Sequence, residues 1–261
     1  MRTALQILSP LPLTHRDDGR VILDLWKRYL PELLPDRYGN SEPVDQSFDP
    51  HNVEPVLDAW KWPLLTSNST WSMESNIWMR KRSQCIHSTW ILSFDSEAAN
   101  QSDLLKFLKA ASTTLEADLA CLTLLTPTEL DLGLASRAVL ALDKRRTKFS
   151  FFISSKDLQN RVPDLFWVTV FGEPYVEMFG RERLLSAPAY ETQLLTSGIV
   201  MLQLSEVLTD VENDPSKVNA TRSRIKTHLG QDAFFQSNLP PQYKYRAPRF
   251  TFPDESLSAA N

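Results

Sequence analysis

The residues whose types and spacing could do chemistry are concentrated between positions 173 and 183. Glu173 and Glu177 are four positions apart, so one turn of helix would place both carboxylates on one face. Glu182 follows between two arginines, Arg181 and Arg183. Such a group could work as an acid–base pair or hold a metal ion. Carboxylates accompanied by arginines are more often a solvated helix face with weak ion pairs, so the sequence predicts no catalytic residue here.

Motifs for phosphate binding, nucleophilic catalysis and metal binding are absent. The closest two of the seven glycines, Gly172 and Gly180, are eight positions apart, whereas GxGxxG, GxxxxGKS/T and GxSxG need glycines within a few positions. The four histidines show neither HExxH nor another paired spacing. Cys85 and His87 could share a strand face, but without further ligands an ordinary strand pair is favoured over a metal site. We expect no metal ion, no cofactor and no enzymatic activity.

The number of cysteines and the length of the apolar runs indicate the cellular compartment of the protein. Only Cys85 and Cys121 occur, which excludes a disulfide framework and fits a reducing environment. Cys121 lies in an apolar strand, where a packed and inert thiol is expected. No apolar run reaches the roughly 18 residues of a membrane span, and the signal-like N-terminal run is interrupted by Gln6 and two prolines. We therefore expect a soluble, cytoplasmic protein without a membrane partner.

The charge balance narrows the class of partner. The formal net charge is -4 and the pI is about 5.6. This balance argues against a nucleic-acid partner, because such proteins usually carry a basic surplus or a basic stripe. A protein partner with a basic surface would match it better. Nothing in the sequence predicts an oligomeric state.

The aromatic residues divide between core and surface. Trp90 and Trp167 lie in apolar strands and are expected in the core, whereas Trp71 and Trp78 lie in a polar, basic setting. Tryptophan, tyrosine and arginine dominate interface hot spots. The break at Gly172 returns the chain to solvent, which makes the following turn a second candidate surface. The predicted partner-binding residues are Trp71, Trp78, Tyr175, Glu177, Arg181 and Arg183.

Periodicity predicts the elements that must position these residues. Helices are expected where apolar residues recur every three or four positions, and strands where they alternate or run continuously. The expected helices are 17–33, 53–58, 102–115, one starting at 126–127, 155–160, 175–179 and 214–230. The expected strands are 76–82, 86–94, 119–125, 148–153, 166–171, 190–195 and 199–204.

Helices interspersed among hairpins predict an α+β class. The sheet is expected to be mixed but largely antiparallel, with helices packed on it, in a single domain. The predicted divisions are an N-terminal extension at 1–16, the α+β domain at 17–235 and an extended C-terminal tail at 236–261.

Three segments carry a resemblance to a known group of proteins. They are LPDRYGNSEP at 34–43, FWVTVFGEPY at 166–175 and FGRERLLSAPA at 179–189, and the strand 199–204 with the last helix completes the pattern. Together they are similar to the immunity proteins of bacterial polymorphic toxin systems, including those tied to type VI secretion. The resemblance extends from about residue 20 to 250. It implies a cytoplasmic, cofactor-free α+β protein that binds one cognate toxin and blocks its active site.

Two other functions remain as alternatives. The first is an enzyme of unrecognised class whose site lies near Glu173, Glu177 and Arg181, which would require a deep pocket with converging carboxylates. The second is a structural or scaffold component of a larger assembly, which would require an extensive exposed apolar patch. The absent catalytic motifs favour a protein without enzymatic activity, and the resemblance implies that it neutralises a toxin.

Overall fold

The fold is organised around one ten-stranded antiparallel sheet, seen in a computed structural model. The model describes residues 1–61, 63–70, 72–80, 86–133, 136–139, 147–236, 238–240 and 242–253, with the backbone alone at 136–139 and 147–150. The sheet order is β11-β12-β10-β7-β1-β6-β5-β4-β2-β3, and each of its ladders is antiparallel. The α+β class and the largely antiparallel sheet are confirmed, and no parallel ladder joins the described strands.

The described strands are short, and most are joined by hairpins or single helices. They are β1 (Arg2–Ser9), β2 (Arg37–Gly39), β3 (Gln46–Ser47), β4 (Leu64–Ser67), β5 (Met73–Trp78), β6 (Ser88–Asp95), β7 (Leu119–Leu125), β8 (Ser136–Val139), β9 (Thr147–Ser150), β10 (Val168–Phe171), β11 (Glu191–Thr196) and β12 (Ile199–Gln203). Strands β8 and β9 form a separate hairpin.

The helices pack on both faces of the sheet. Those described are α1 (Arg16–Tyr29), α2 (Glu54–Asp58), α3 (Gln101–Thr114), α4 (Pro127–Asp131), α5 (Ser155–Leu158), α6 (Glu173–Phe179), α7 (Arg181–Leu185), α8 (Asp210–Asn213) and α9 (Pro215–Leu229), with 3-10 turns at Pro31–Leu33 and Gln231–Ala233. The N-cap of α3 is Asn100, which accepts a hydrogen bond from the Asp103 amide, so this helix begins one residue before the predicted start at 102.

Strand β1 corrects the prediction of an N-terminal extension. Its residues are almost all buried, and it pairs with β6 on one side and β7 on the other, in the middle of the sheet. Leu5 and Ile7 face one apolar core, while Ala4 and Leu8 face the other. A strand covered on both faces has a nearly continuous apolar sequence, which is why it resembled a signal peptide.

The two apolar cores lie on opposite faces of the sheet. On the first face, Trp90 packs edge-on against Trp26 of α1 at 5.5 Å and against Phe107 of α3 at 5.1 Å between ring centroids. On the second face, Phe171 contacts Tyr175 and Phe179 of α6, at 5.1 and 5.6 Å. Because one sheet separates both cores, the chain is a single α+β domain, and Trp90 and Trp167 are core residues as predicted.

Gln6 is a fully buried polar residue of β1, and it fixes the loop that follows β9. Its Nε2 atom donates to the Ile153 carbonyl at 2.9 Å, and its Oε1 atom accepts from the Ile153 amide at 2.8 Å. The side-chain amide therefore imitates a strand partner and holds the backbone of residue 153 in a buried position. The residue before it in the chain, Phe152, is 52% exposed.

We expect Gln6→Leu to lower the free energy of unfolding by about 1–3 kcal/mol, because the Ile153 amide and carbonyl would stay buried without partners. Urea denaturation measures this loss. Thr3→Val on the same strand is the matched control, since the Thr3 hydroxyl is buried and makes no hydrogen bond to the described residues. Equal stability losses in the two variants would contradict the role assigned to Gln6.

Candidate functional site

Of the two tryptophans predicted to bind a partner, the structure describes only Trp78. Trp71 lies outside the described residues, as does Cys85. Trp78 ends β5, is half-buried, and its ring centroid is 5.2 Å from that of Phe152. Trp78 therefore borders solvent beside another aromatic ring, and the partner-binding role given to it stays a prediction.

Tyr175 does not have the exposed position that was predicted for it. Its side chain is fully buried in α6, against Phe171 on one side and Phe250 on the other. Burial, together with the charge of Asp118, raises the pKa of the Tyr175 phenol well above its ordinary value. Helix α6 begins directly after β10 and turns this residue back toward the sheet, so Tyr175 is not part of a contact surface in this structure.

The two arginines predicted to bind a partner, Arg181 and Arg183, each form a hydrogen bond that connects α7 to another element. Gly180 has φ +88°, in the region that favours glycine, and this backbone separates α6 from α7. From α7, Arg181 Nη2 donates to the Ser197 carbonyl at 2.6 Å, and Arg183 Nε donates to the His228 carbonyl at 2.8 Å. Both side chains remain exposed, but their polar groups hold the β11–β12 turn and the end of α9.

An exposed apolar surface, which the sequence did not predict, lies next to Trp78. Leu132, Phe152 and Phe235 are 45%, 52% and 39% exposed and line one cavity of about 400 Å³. We call these three residues with Trp78 the aromatic surface. They come from the end of α4, the β9–α5 connection and the segment after α9. Large apolar side chains that converge in solvent are typical of interaction sites.

Two pairs of adjacent phenylalanines were the available signal for this surface. Phe151 is buried and Phe152 is exposed, and likewise Phe234 is buried and Phe235 exposed. In extended backbone, successive side chains point to opposite sides. One member of each pair therefore had to face away from the core, toward solvent or a partner.

Charged side chains border the aromatic surface. The Arg161 guanidinium lies over the Phe235 ring, 4.3 Å from its centroid, and is 4.0 Å from the Asp157 carboxylate. Lys226 Nζ is 3.0 Å from an Asp164 oxygen on the rim of the same cavity. An arginine stacked on an aromatic ring beside apolar anchors is a combination enriched in binding hot spots.

A buried network of an ion pair and hydrogen bonds stabilises the elements that carry the aromatic surface. Arg222 of α9 donates from Nη2 to Glu129 Oε1 at 2.9 Å and from Nε to the Leu165 carbonyl at 2.7 Å. Both side chains of the Glu129–Arg222 pair are almost fully buried. Burial raises the pKa of the Glu129 carboxyl, and Arg222 partly offsets this effect. Glu129 lies in α4, so the pair joins α4 to α9 near Leu132.

The carboxylates predicted as a pair lie on the wall of a second cavity. Glu173 and Glu177 are exposed on α6 and line a cleft of about 480 Å³ with Glu116 and Asp118. We call these four residues the acidic cleft; Arg249 also lines it. A surface with this excess of carboxylates suits a positively charged group of a partner.

Asp118 connects the acidic cleft to a buried histidine. His87 Nε2 is 2.9 Å from Asp118 Oδ2, and His87 is fully buried. Burial raises the pKa of the Asp118 carboxyl, and its hydrogen bond with His87 partly offsets this effect. Cys85, which was considered as a metal ligand with His87, lies outside the described residues. Among those the model describes, no group of three His, Cys, Asp or Glu side chains could hold a metal ion.

The C-terminal segment covers this pair of side chains. Residues 247–253, which we call the strap, have no regular secondary structure. Phe250 and Phe252 pack edge-on against the His87 ring, at 4.7 and 5.0 Å between centroids. Arg80 Nη2 donates to the Pro253 carbonyl at 2.8 Å. The predicted tail thus contributes aromatic rings to the domain as far as it is described.

Comparisons with known proteins concern the fold. No protein-family model matches the chain, and no curated protein matches it. The Pseudomonas aeruginosa T6SS protein PA0821 has a similar solved structure, with a TM-score of 0.52 and 12% sequence identity, over 94% of this chain and 78% of that chain. None of the described helices has the length and apolar character needed to cross a bilayer. The structural similarity to PA0821 shows that the chain shares its α+β fold with a type VI secretion system (T6SS) protein.

Proposed function

We propose that this chain is an immunity-type protein of a type VI secretion system, which binds a cognate protein toxin and blocks it without catalysing a reaction. The fold that the chain shares with a T6SS protein supports the proposal that it works in a type VI secretion system. The resemblance of segments 34–43, 166–175 and 179–189 to immunity proteins supports the role. The cellular compartment in this proposal is the cytoplasm.

The aromatic surface is the observation that carries this proposal. Phe152 and Phe235 expose large rings on either side of one cavity, and Arg161 lies on the second ring. Burying such side chains in a partner's pockets provides most of the binding free energy in protein complexes. The supporting ion pair and the Gln6 contact hold this surface in place before binding, which reduces the entropy lost in the complex.

The charge of the chain complements a basic partner. The net charge is -4, and the acidic cleft collects three exposed carboxylates, Glu116, Glu173 and Glu177. Complementary charge increases the association rate and selects against partners of like charge. The toxin we expect has apolar or aromatic pockets next to a positively charged region.

We expect Phe152→Ser and Phe235→Ser each to weaken the toxin complex by roughly 30-fold, about 2 kcal/mol, because each removes an exposed anchor of the aromatic surface. The toxin to test is the protein encoded by the neighbouring gene. Isothermal titration calorimetry measures the affinity, and growth of cells that express both proteins measures protection.

Tyr190→Ser is the matched control, because Tyr190 is 54% exposed and does not line the cavity of the aromatic surface. It should leave both affinity and protection unchanged. Failure of the wild-type protein to protect cells would refute the immunity role. Self-association of the purified chain through the same phenylalanines would instead support the scaffold alternative.

A further inference from the structure

The recess beneath the strap contains buried polar atoms without partners among the described residues. His87 Nδ1 and Tyr175 Oη are two such atoms, and both residues are fully buried. A buried polar group that makes no hydrogen bond opposes folding, so such groups are rare in native proteins and require an explanation. Both rings contact the same side chain, Phe250 of the strap.

These groups can accept hydrogen bonds from one ligand. Because His87 Nε2 is 2.9 Å from Asp118 Oδ2, the proton of a neutral imidazole belongs on Nε2, and Nδ1 is left as an acceptor. The Tyr175 hydroxyl oxygen is also an acceptor. Asp118 adds a carboxylate, since it contacts His87 and also lines the acidic cleft. The recess therefore combines two neutral acceptors with one anionic acceptor.

The strap fills this recess with a phenyl ring, which cannot form hydrogen bonds with the unpartnered polar atoms of His87 and Tyr175. The Phe250 ring lies 4.7 Å from the His87 ring and 5.9 Å from the Tyr175 ring, between centroids, and carries no hydrogen-bonding group. The strap makes no backbone–backbone hydrogen bond to the described residues. Side-chain packing and the Arg80 contact to Pro253 hold it. An incoming segment can therefore displace it without breaking a strand ladder.

We propose that this recess binds an arginine side chain, carried by an extended segment of the partner protein, in place of Phe250. A guanidinium has five donors in a planar fork and no acceptor, which matches the His87, Tyr175 and Asp118 acceptors. Glu173 and Glu177 supply further negative charge beside Asp118. That the arginine belongs to a protein rests on the proposed function. Arg249 of the strap already lines the cleft.

The test uses the full chain and Nα-acetyl-arginine amide as the probe. Phe250→Ala opens the recess, so the probe should bind this variant at least tenfold more tightly than the wild-type protein in a calorimetric titration. Adding Asp118→Asn should reverse the gain, and the lysine analogue should bind at least tenfold more weakly. Tyr190→Ala, which removes an exposed ring that lines neither the aromatic surface nor the acidic cleft, should behave as wild type.

Equal probe affinities for Phe250→Ala and wild type, or no effect of Asp118→Asn, would overturn the proposal. A measurement on the wild-type protein covers the case in which Phe250→Ala unfolds. Saturating probe should accelerate hydrogen exchange of the strap amides, and unchanged exchange would also overturn it. Probe binding without protection against the toxin would refute the immunity role alone, whereas protection without probe binding would refute the recess alone.

Discussion

We expect Arg222→Met to lower the free energy of unfolding at neutral pH by about 3–5 kcal/mol, because it leaves Glu129 buried without its cation. Arg222 Nη2 lies 2.9 Å from Glu129 Oε1, and the two side chains are 5% and 2% exposed. Methionine preserves much of the apolar stem of arginine, so most of the loss reflects the uncompensated carboxylate. Asp164, whose Oδ1 atom is 3.9 Å from Arg222 Nε, keeps a second cation in the variant, Lys226 at 3.0 Å.

The pH dependence of this loss distinguishes an uncompensated charge from a packing defect. Burial already raises the pKa of Glu129 in the folded protein, and removing Arg222 raises it further. A carboxyl whose folded pKa lies above its unfolded pKa favours folding most at low pH and loses that contribution as the pH rises through the folded pKa. The variant should therefore lose more stability at pH 7.5 than at pH 4.5.

Two further variants complete this experiment. Arg224→Met is the matched control, because Arg224 lies on the same helix and is exposed. It should change stability by less than about 0.5 kcal/mol. Glu129→Gln combined with Arg222→Met should recover a large part of the loss at neutral pH, since the buried carboxylate that lost its cation is then replaced by a neutral amide. Urea denaturation at both pH values measures all four proteins, and a pH-independent loss would refute the electrostatic explanation.

The elements that sequence periodicity predicted are those with strong local signals. Strand β7 occupies Leu119–Leu125 as predicted, because a run of apolar residues matches a strand with both faces covered. The β11–β12 hairpin and helix α9, which ends before Gly230, were also predicted from local turns and caps. Each of these signals depends on neighbours along the chain.

The parts of the fold that were not predicted depend on distant residues. β1 is a central strand because it pairs with β6 and β7, and those pairings join positions about a hundred residues apart. The pattern of β1 alone does not distinguish a central strand from an apolar extension. The Glu129–Arg222 pair spans 93 positions. No local spacing identifies such partners, since the contact exists only after the sheet and α9 have packed.

The candidate site was predicted only in part, because it too depends on contacts between residues that are distant in the sequence. Trp78 was chosen from its polar setting, and it lies beside Phe152, a contact that its setting did not indicate. Tyr175 was placed on the surface because it follows a glycine break, but α6 returns it to the core. Phe152 and Phe235 were missed because an aromatic residue is buried more often than exposed, and which member of each pair faces solvent depends on packing.

Gly172→Ala is the second substitution for which we expect a large effect. A Cβ atom at this position would lie 2.2 Å from the Ala117 carbonyl oxygen and 2.7 Å from the Asp118 Cα atom, both in the backbone. The Gly172 amide also donates to the Asp118 carbonyl at 2.8 Å. The end of β10 therefore approaches the start of β7 so closely that only glycine fits without a backbone shift.

We expect Gly172→Ala to cost roughly 3 kcal/mol, at the upper end of overpacking substitutions, because rigid backbone rather than a mobile side chain must move. In a thermal scan this corresponds to a Tm decrease of about 6–12 °C. Gly198→Ala is the matched control, since its Cβ would meet Glu173 Cβ at an ordinary 3.4 Å. A Tm for Gly172→Ala within about 2 °C of the Gly198→Ala value would contradict the close approach. Because the backbone that must shift carries Asp118, the same substitution should also weaken binding of the arginine probe in the Phe250→Ala background.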